Sequence, residues 1–483
     1  MAGTPDLRVS EFPTSLTWLN TSRPITIDDL KGNVSLLVFW RYSSVNCLHL
    51  IAEIKQLQKM FMGQLSIIWI HSPKFKTEGE LSELESAIDY LKITDPVAND
   101  PDFALWRACS IRAWPSILAL DPQGKVIGLL RGEGRQQQLE EIIRNHVAVT
   151  DMDRNRLPVL EAKNETELFD VALRFPGKVY VTREYVYIAD SGHHRIIEAY
   201  HSGEIKRIFG SGVPALVNGR EQQACFHYPQ GMTQLGEFLF VSDTGNHAIR
   251  RIHLSTGEVL TVAGNGKQGR YIADQYTHSD KSLLNSPWDI CHYENTLYIA
   301  MAGQHQIWSM NVKSDGITRI AGTGREDIFD GEAKEACFAK PVGLALMYNK
   351  LYVADADTSS IRLLDPESMC VNTLAGGGLF VYGDREGIGG KVRFQHPMAV
   401  AADPGRNAIW VADTYNSRIK RLDITTLQVS RYPVDYELDN PAGLSLHDDI
   451  LYIANTNAHQ IVCLDLKTRE TREFVLHEVE ETV

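Results

Sequence analysis

The sequence predicts an α/β domain over roughly the first 150 residues, followed by an all-β propeller of six blades. The propeller is predicted by a spacing that occurs six times. In each repeat a proline is followed by a short apolar run, which ends 14 residues after the proline in five repeats and 16 residues after it in the other. The prolines are Pro176, Pro229, Pro287, Pro341, Pro397 and Pro441, and the runs end at Asp190, Asp243, Met301, Asp355, Asp413 and Asn455. A period kept this closely indicates one copied supersecondary unit. The α/β domain is predicted by strand and helix patterns that alternate before the first repeat.

The first domain contains both strand and helix periodicities. Short apolar runs predict buried strands, and apolar residues three and four apart predict amphipathic helices. Strands are predicted over 33–40, 65–71, 116–120 and 125–130, and helices over 46–61, 80–91 and 136–146. The last two strands flank the turn Asp121-Pro122-Gln123-Gly124, which predicts a hairpin.

Each repeat of the second region is interpreted as four short strands. In the second repeat these are a short inner strand after Pro229 and strands over 237–243, 248–253 and 259–262, separated by Gly, Asn and Asp turns. One such sheet leaves both of its faces uncovered. Six sheets stacked radially cover every face, which predicts the propeller.

In the turn after the second strand of each repeat, one equivalent position holds either histidine or serine. It holds His194, His247, His305, Ser359, Ser417 and His459. Side chains from different blades diverge at the rim, whereas a zinc ion needs its ligands around one point. We therefore expect these side chains to bond local backbone. In the central channel only Asp289 offers a carboxylate after the repeat proline, so no metal and no cofactor are predicted.

Two sets of motifs resemble known families. The recurring Pro-x-Gly, Val-Ala-Asp and Asn-His-x-Ile patterns resemble NHL repeats over residues 170–478. The segments Phe39-Trp40-Arg41-Tyr42-Ser43-Ser44-Val45-Asn46-Cys47 and Ser110-Ile111-Arg112-Ala113-Trp114-Pro115-Ser116 resemble thioredoxin-like proteins of the TlpA and peroxiredoxin-like branch. That resemblance implies a cis bond before Pro115 and a site flanked by Trp40. The two domains in this order resemble the NHL-repeat-containing protein 2 family.

The chain departs from that family at the strand-to-helix junction. Members carry Cys-Cys-x-Asn-Cys, where this chain has Ser43-Ser44-Val45-Asn46-Cys47. The resemblance places the attacking thiol at Ser44 and the resolving thiol at Cys47. A serine forms no disulfide, so dithiol exchange is not predicted. Ser44, with Ser43 as the rival, is a good helix N-cap. The serines are compatible with a natural pseudo-oxidoreductase and with an engineered pair of replacements.

Cys47 has two interpretations. Free cysteines are commonly buried as small apolar groups. The alternative is a one-cysteine redox site that forms mixed disulfides or a sulfenic acid.

Charge and composition narrow the class of partner. The 483 residues carry a net charge of −13, of which residues 1–150, with 15 basic and 17 acidic side chains, contribute −2. An acidic propeller region disfavours nucleic acid and anionic membranes as partners. The absence of an 18-residue apolar run, an N-terminus without an apolar signal region and seven dispersed cysteines predict a reduced, cytoplasmic protein.

The predicted organisation is a thioredoxin-like domain over 1–148, a linker over 149–168, a six-bladed NHL propeller over 169–478 and an acidic tail over 479–483. Long connections between blades, such as 265–283 and 376–393, are where we expect binding. Asp327, Asp330 and Glu332 lack the spacing of a calcium loop and predict a turn. The favoured function is a scaffold that binds a protein partner through these loops. The alternatives are a redox protein that uses Cys47 and, third, a metalloenzyme with its site in the channel.

Overall fold

A computed structural model describes residues 11–147, 157–159, 172–269 and 277–478. The chain divides into two compact units, Met1–Phe169 and Asp170–Val483. The predicted tail, most of the predicted linker and the middle of the 265–283 connection lie outside the described residues. Among the residues described, no helix is long and apolar enough to cross a bilayer.

The first unit is the predicted α/β domain of the thioredoxin-like class. Its elements are β1 (Thr17–Leu19), β2 (Val34–Trp40), α1 (Val45–Met60), β3 (Leu65–His71), α2 (Leu81–Leu91), β4 (Val97–Asn99), α3 (Ala104–Ala108), β5 (Ser116–Leu120), β6 (Val126–Arg131) and α4 (Gln136–His146). The sheet order is β1-β4-β3-β2-β5-β6, with β2, β3 and β4 parallel and β5 antiparallel to β2. The three short elements β1, β4 and α3 were not predicted, because three to five residues carry too little periodicity.

Two apolar clusters hold this sheet between its layers. Alternate residues of β2 enter one cluster with α1, α2 and α4, and Leu37 and Phe39 enter a second cluster with residues that include Ile25, Leu105 and Ile111. Both faces of β2 are therefore buried, which explains why every residue except the buried Ser35 is apolar. The chain passes from β2 into α1, so the carboxyl end of β2 lies at the N-terminus of α1, where the candidate site is found.

The second unit is a six-bladed propeller, as predicted. Blade 1 consists of β7 (Pro176–Val181), β8 (Tyr185–Asp190), β9 (Arg195–Tyr200) and β10 (Ile205–Phe209). Blade 2 consists of β11 (Gly219–Arg220), β12 (Pro229–Leu235), β13 (Phe238–Asp243), β14 (Ala248–His253) and β15 (Glu258–Ala263). Blade 3 consists of β16 (Thr277–His278), β17 (Pro287–Tyr293), β18 (Thr296–Met301), β19 (Gln306–Asn311) and β20 (Gly316–Ala321).

The remaining blades follow the same plan. Blade 4 consists of β21 (Gly331–Glu332), β22 (Pro341–Met347), β23 (Lys350–Asp355), β24 (Ser360–Asp365) and β25 (Cys370–Gly376). Blade 5 consists of β26 (Gly387–Ile388), β27 (Ala399–Asp403), β28 (Ala408–Asp413), β29 (Arg418–Asp423) and β30 (Gln428–Tyr432). Blade 6 consists of β31 (Pro441–His447), β32 (Ile450–Asn455), β33 (Gln460–Asp465) and β34 (Thr471–Glu473).

Blades 2 to 5 each carry a short fifth strand that the sequence pattern did not predict. The connection from the preceding blade supplies it, and it pairs with the outermost strand, as β11 does with β15. The Asn and Asp side chains of the Asn-Gly and Asp-Gly pairs in the connections accept hydrogen bonds at this edge of the sheet. Asn218 accepts hydrogen bonds from Arg250 and Thr261, and Asp330 accepts one from Arg362. The carboxylate of Asp330 is thus engaged by the sheet edge.

The inner strands form a closed ring, in which each contacts the inner strand of the next blade and β31 contacts β7. The glycine of the Pro-x-Gly motif permits this close approach. A Cβ atom at Gly231 would lie 2.5 Å from the Cα atom of Asp289, and one at Gly443 would lie 2.7 Å from the Cα atom of Lys178. Any side chain at these positions would therefore push two blades apart.

The histidine or serine side chains of these turns connect neighbouring blades. Each side chain accepts a hydrogen bond from the backbone N–H of the residue before the next blade's proline, at 3.0–3.4 Å. The donors are Tyr228, Ser286, Lys340, His396, Asn440 and, from His459 of blade 6, Phe175 of blade 1. The predicted backbone partner is present, but it belongs to the next blade and is not local, because the turn points across the blade interface.

The aspartate that ends the second strand of most blades anchors the chain that leads into the same blade. Asp243 accepts a hydrogen bond from the backbone N–H of His227, and its second oxygen contacts Arg250, seven residues later. Blades 4 and 5 repeat this arrangement with the pairs Asp355–Arg362 and Asp413–Lys420. Where blade 3 has the neutral Met301, the residue seven positions later is the neutral Trp308. In blades 2 to 5, these two positions are therefore either both charged or both neutral.

Candidate functional site

The candidate site lies where β2 ends and α1 begins. Ser44 has extended backbone angles and is the N-cap of α1, since its side chain accepts a hydrogen bond from the backbone N–H of Cys47 at 3.4 Å. Ser43 lies one residue earlier, outside the helix. Both serines are buried. The fold of this junction therefore persists without thiols at positions 43 and 44.

Two buried side chains of opposite charge, Arg41 and Glu78, hold Ser43 from two sides. The Arg41 guanidinium donates a short hydrogen bond to the Ser43 hydroxyl, and Glu78 accepts one from the Ser43 backbone N–H at 3.3 Å. Glu78 also accepts from the backbone N–H groups of Lys74 and Phe75, at 2.8 and 3.0 Å. Burial pushes the pKa of Glu78 upward, but the Arg41 charge and these hydrogen bonds outweigh it and lower the pKa. The carboxylate is therefore ionised and fully engaged.

Cys47 lies inside the first turn of α1 and is fully buried. Burial raises the pKa of its thiol to about 11, against the opposing effects of a hydrogen bond to Ser44 and of the Arg41 charge. At neutral pH the side chain is therefore a protonated thiol. Because the thiolate is the nucleophilic form, we expect Cys47 to react slowly in this environment.

The aromatic layer beside the thiol is part of the core. Trp40 is fully buried and packs edge-on against Trp69 and His71, while Tyr42 stacks on His71 at 5.3 Å. The His71 Nδ1 atom lies 3.1 Å from the side-chain oxygen of Asn99, and burial lowers the His71 pKa. His71 is therefore neutral near pH 7. Trp40 contributes packing here, and no contact in the described residues assigns it another role.

The second sequence motif forms the other wall. The peptide bond between Trp114 and Pro115 is cis. The indole of Trp114 donates to the backbone oxygen of Ser72 at 2.8 Å, and the Arg41 guanidinium lies 5.5 Å from the ring centre. Arg41 therefore connects this wall to Ser43, and the two motifs that the sequence singled out meet at one place.

The propeller channel contains the carboxylate that the sequence singled out. Asp289 lies 3.4 Å from the ammonium of Lys178 and accepts a hydrogen bond from the backbone N–H of Leu344 at 2.9 Å. Lys178 also donates to the carbonyl oxygens of Val342 and Met398. These groups connect blade 1 to blades 3, 4 and 5 across the axis. In the part of the chain that the structure describes, no three His, Cys, Asp or Glu residues are grouped so as to hold a metal ion.

Sequence reasoning found Ser43, Ser44, Cys47 and Pro115 but missed Arg41 and Glu78. Arg41 lies inside the quoted motif, yet a single arginine after a strand is ordinarily solvated. Glu78 lies in a polar stretch ahead of α2, and nothing in its neighbours indicates burial. Glu78 comes into contact with Ser43 only in the folded domain.

The state of Cys47 gives a direct test. We expect iodoacetamide to alkylate Cys47 in the folded protein at least about 100-fold more slowly than in denaturant at pH 7 to 8, because the thiol is buried and protonated. The native rate should rise only as the pH approaches the thiol pKa of about 11. Mass spectrometry of the modified peptides measures both rates, with the half-buried Cys370 as the internal reference. A fast native reaction with a midpoint below the ordinary value of about 8.5 would contradict this description.

Comparison with known proteins identifies relatives of this chain. No protein-family model matches it. NHL repeat-containing protein 2 of Bos taurus is 34% identical over an alignment of 533 positions, which covers 99% of this chain and 73% of that protein. Protein SUPPRESSOR OF QUENCHING 1, chloroplastic, of Arabidopsis thaliana is 36% identical and covers 98% of this chain, which spans 48% of that longer protein. Thiol-disulfide oxidoreductase YkuV of Bacillus subtilis is 23% identical over 135 residues, which are 28% of this chain and 90% of that protein.

The similarity to the bovine protein extends over nearly the whole chain, and the fold contains both a thioredoxin-like domain and a six-bladed propeller in the same order as the motifs. The chain therefore belongs to the NHL repeat-containing protein 2 family.

Proposed function

We propose that this protein binds a protein partner without covalent chemistry, acting as a two-domain scaffold. The observation that carries the proposal is the state of the thioredoxin-like site. Ser44 occupies the attacking position, and Cys47 is buried with a raised pKa. A dithiol cycle needs an accessible thiolate and a second thiol, and this arrangement supplies neither at neutral pH.

The propeller connections support a binding role. The four connections between blades 1 and 5 each present exposed large apolar side chains, namely Val213, Val217, Leu283, Phe329, Phe380 and Ile388. Phe380 is 72% exposed and Phe329 is 59% exposed. Exposed large apolar side chains that form one surface commonly mark a protein interface. The proposed interface is the propeller face that carries these connections.

The proposed location is the cytoplasm. All seven cysteines are free thiols, in agreement with a reducing compartment. A thiol-redox role through Cys47 is the second candidate function, and it would require an opening motion that exposes the first turn of α1. The burial of Cys47, Arg41 and Glu78 disfavours such a motion.

Affinity capture with quantitative mass spectrometry tests the binding role. The variant carries Phe329→Ser and Phe380→Ser, and the control carries Tyr348→Ser, which is 59% exposed but lies in the turn between β22 and β23. We expect at least one partner to be lost about fivefold or more in the double variant, the effect of removing one or two interface aromatics. Retention of every partner by the double variant would count against the proposed interface.

A further inference from the structure

A pocket of about 480 Å³ opens between blades 1 and 2, on the side of their hairpin turns. Its walls come from the β7–β8 turn, the β12–β13 turn and the outer strands of blade 1. Tyr185, Tyr187 and Glu198 line the blade 1 side, and Glu184 and Glu237 lie exposed at the rim. The pocket therefore combines aromatic faces with carboxylates.

Glu198 is fully buried beneath this pocket. One carboxylate oxygen accepts a 2.7 Å hydrogen bond from Arg207. The other oxygen has only long contacts, with the Tyr187 hydroxyl at 3.3 Å and the Lys206 ammonium at 3.4 Å. Charge-assisted hydrogen bonds are ordinarily about 2.7–2.9 Å long. This second oxygen is therefore loosely satisfied.

Lys206 lies between the carboxylate and the aromatic wall. Its ammonium is 3.8 Å from the centre of the Tyr185 ring, a close cation–π contact, and the side chain remains 27% exposed. The ammonium thus occupies a position where aromatic and acidic groups recognise a cation. Because the side chain is long, flexible and partly in water, it can leave this position without unfolding the blade.

The other blades show that this carboxylate is not needed to build a blade. In blade 1, Glu198 is paired across the sheet with Tyr187. The positions equivalent to Glu198 in blades 2 to 6 hold Arg251, Ser309, Leu363, Arg421 and Cys463. Burying a carboxylate costs free energy that five of the six repeats avoid. A feature present in one copy of a repeated unit points to a role outside the common fold.

We propose that this cage of Tyr185, Tyr187 and Glu198 binds a lysine or arginine side chain of a partner's basic segment, with Lys206 as the placeholder that it displaces. The inference rests on the proposed partner-binding function and names the chemistry of the partner. With Lys206 swung out, the ionisable groups lining the pocket are Arg183, Arg207, Glu184, Glu198 and Glu237, which leave one net negative charge. Residues 151–483, with 33 basic and 44 acidic side chains, attract cations at longer range.

Isothermal titration of the full chain with pentalysine at low salt tests the proposal. Lys206→Met removes the placeholder and keeps most of the apolar stem, so we expect binding about tenfold tighter than for the unmodified chain, because a cation–π contact and a carboxylate become available to the ligand. Lys334→Met, at an exposed lysine in the connection to blade 4, makes the same change in net charge and is the matched control. Equal affinities of Lys206→Met and Lys334→Met would overturn the proposal.

A second pair of variants removes the cage itself. Glu198→Gln should abolish the gain when combined with Lys206→Met, whereas the exposed Glu335→Gln, with the same charge change, should preserve it. If Glu198→Gln does not fold, as thermal unfolding will show, Tyr185→Leu in the Lys206→Met background replaces it, and the gain should again disappear. A gain that survives loss of the cage overturns the assignment. The capture experiment on Phe329 and Phe380 involves other residues, so the two proposals fail separately.

Discussion

Replacing Ser44 with cysteine is expected to give the thioredoxin-like domain a dithiol pair that forms a disulfide with Cys47. The Ser44 hydroxyl oxygen lies 3.4 Å from the backbone nitrogen of Cys47 and lowers the pKa of the Cys47 thiol, so a sulfur atom at this position would lie close to that thiol. It would also lie at the N-terminus of α1, where backbone N–H groups and the helix dipole favour the anion. Thiols in such positions have pKa values of about 3.5–7.5, so the introduced thiol should be ionised near neutral pH.

Two measurements check this expectation. Under mild oxidation the Ser44→Cys variant should lose two hydrogens by intact mass and show both thiols protected from alkylation in denaturant, and in the reduced form it should reduce insulin disulfides. Ser43→Cys is the matched control, because that side chain points to Arg41 rather than to Cys47. We expect the control to keep separate thiols. Two free thiols in oxidised Ser44→Cys, with no insulin reduction, would show that the junction no longer has dithiol geometry.

The extent to which the sequence predicts the fold depends on the range of the interactions. The helix over 136–146 and the strand over 65–71 coincide with the observed elements, and α1 begins and ends within one residue of its prediction. These elements are defined by periodic burial along the chain itself. The two-residue strands β11 and β21 were missed, because their pairing partners lie about 40 residues away and two residues carry no pattern.

The candidate site was predictable in its covalent part and not in its support. The absence of a thiol at Ser44 and the N-cap role of that residue follow from the motif. The sequence leaves the burial of Cys47 open, and in the structure this side chain is fully buried. Glu78 reaches Ser43 across 35 positions of chain, and no local signal marks such a contact. Likewise, the turn histidines were assigned backbone partners, but the identity of the partner depends on the radial order of the blades.

The buried pair of Asp243 and Arg250 provides the largest expected effect on stability. Both side chains are fully buried, and Arg250 also donates to the backbone oxygens of Cys225 and Val217. Arg250→Met should lower the free energy of unfolding of the propeller by about 3–5 kcal/mol, because it leaves a buried carboxylate without its cation. Urea unfolding followed by circular dichroism measures this loss. A loss below about 1 kcal/mol, the range of exposed pairs, would contradict it.

The double variant Asp243→Asn and Arg250→Met separates the charge from the packing. Blade 6 already uses this solution, since Asn455 accepts the backbone hydrogen bond of Asp439 at 2.7 Å and the residue seven positions later is the neutral Val462. We expect the double variant to recover about 2 kcal/mol relative to Arg250→Met, because no isolated charge remains buried. A double variant as unstable as Arg250→Met would mean that packing alone sets the loss.

The pH dependence of Arg250→Met should carry the same signature. Burial raises the pKa of Asp243 to about 6 in the intact protein, although Arg250 opposes the rise. Removing Arg250 should raise this pKa further. A carboxyl whose pKa is higher in the folded state than in the unfolded state contributes most stability at low pH and loses it as the pH rises through the folded value. The deficit of Arg250→Met should therefore shrink between pH 7 and pH 5, while the double variant, which has no carboxyl at position 243, should show no such change. Parallel pH profiles for the two variants would show that the carboxylate does not cause the deficit.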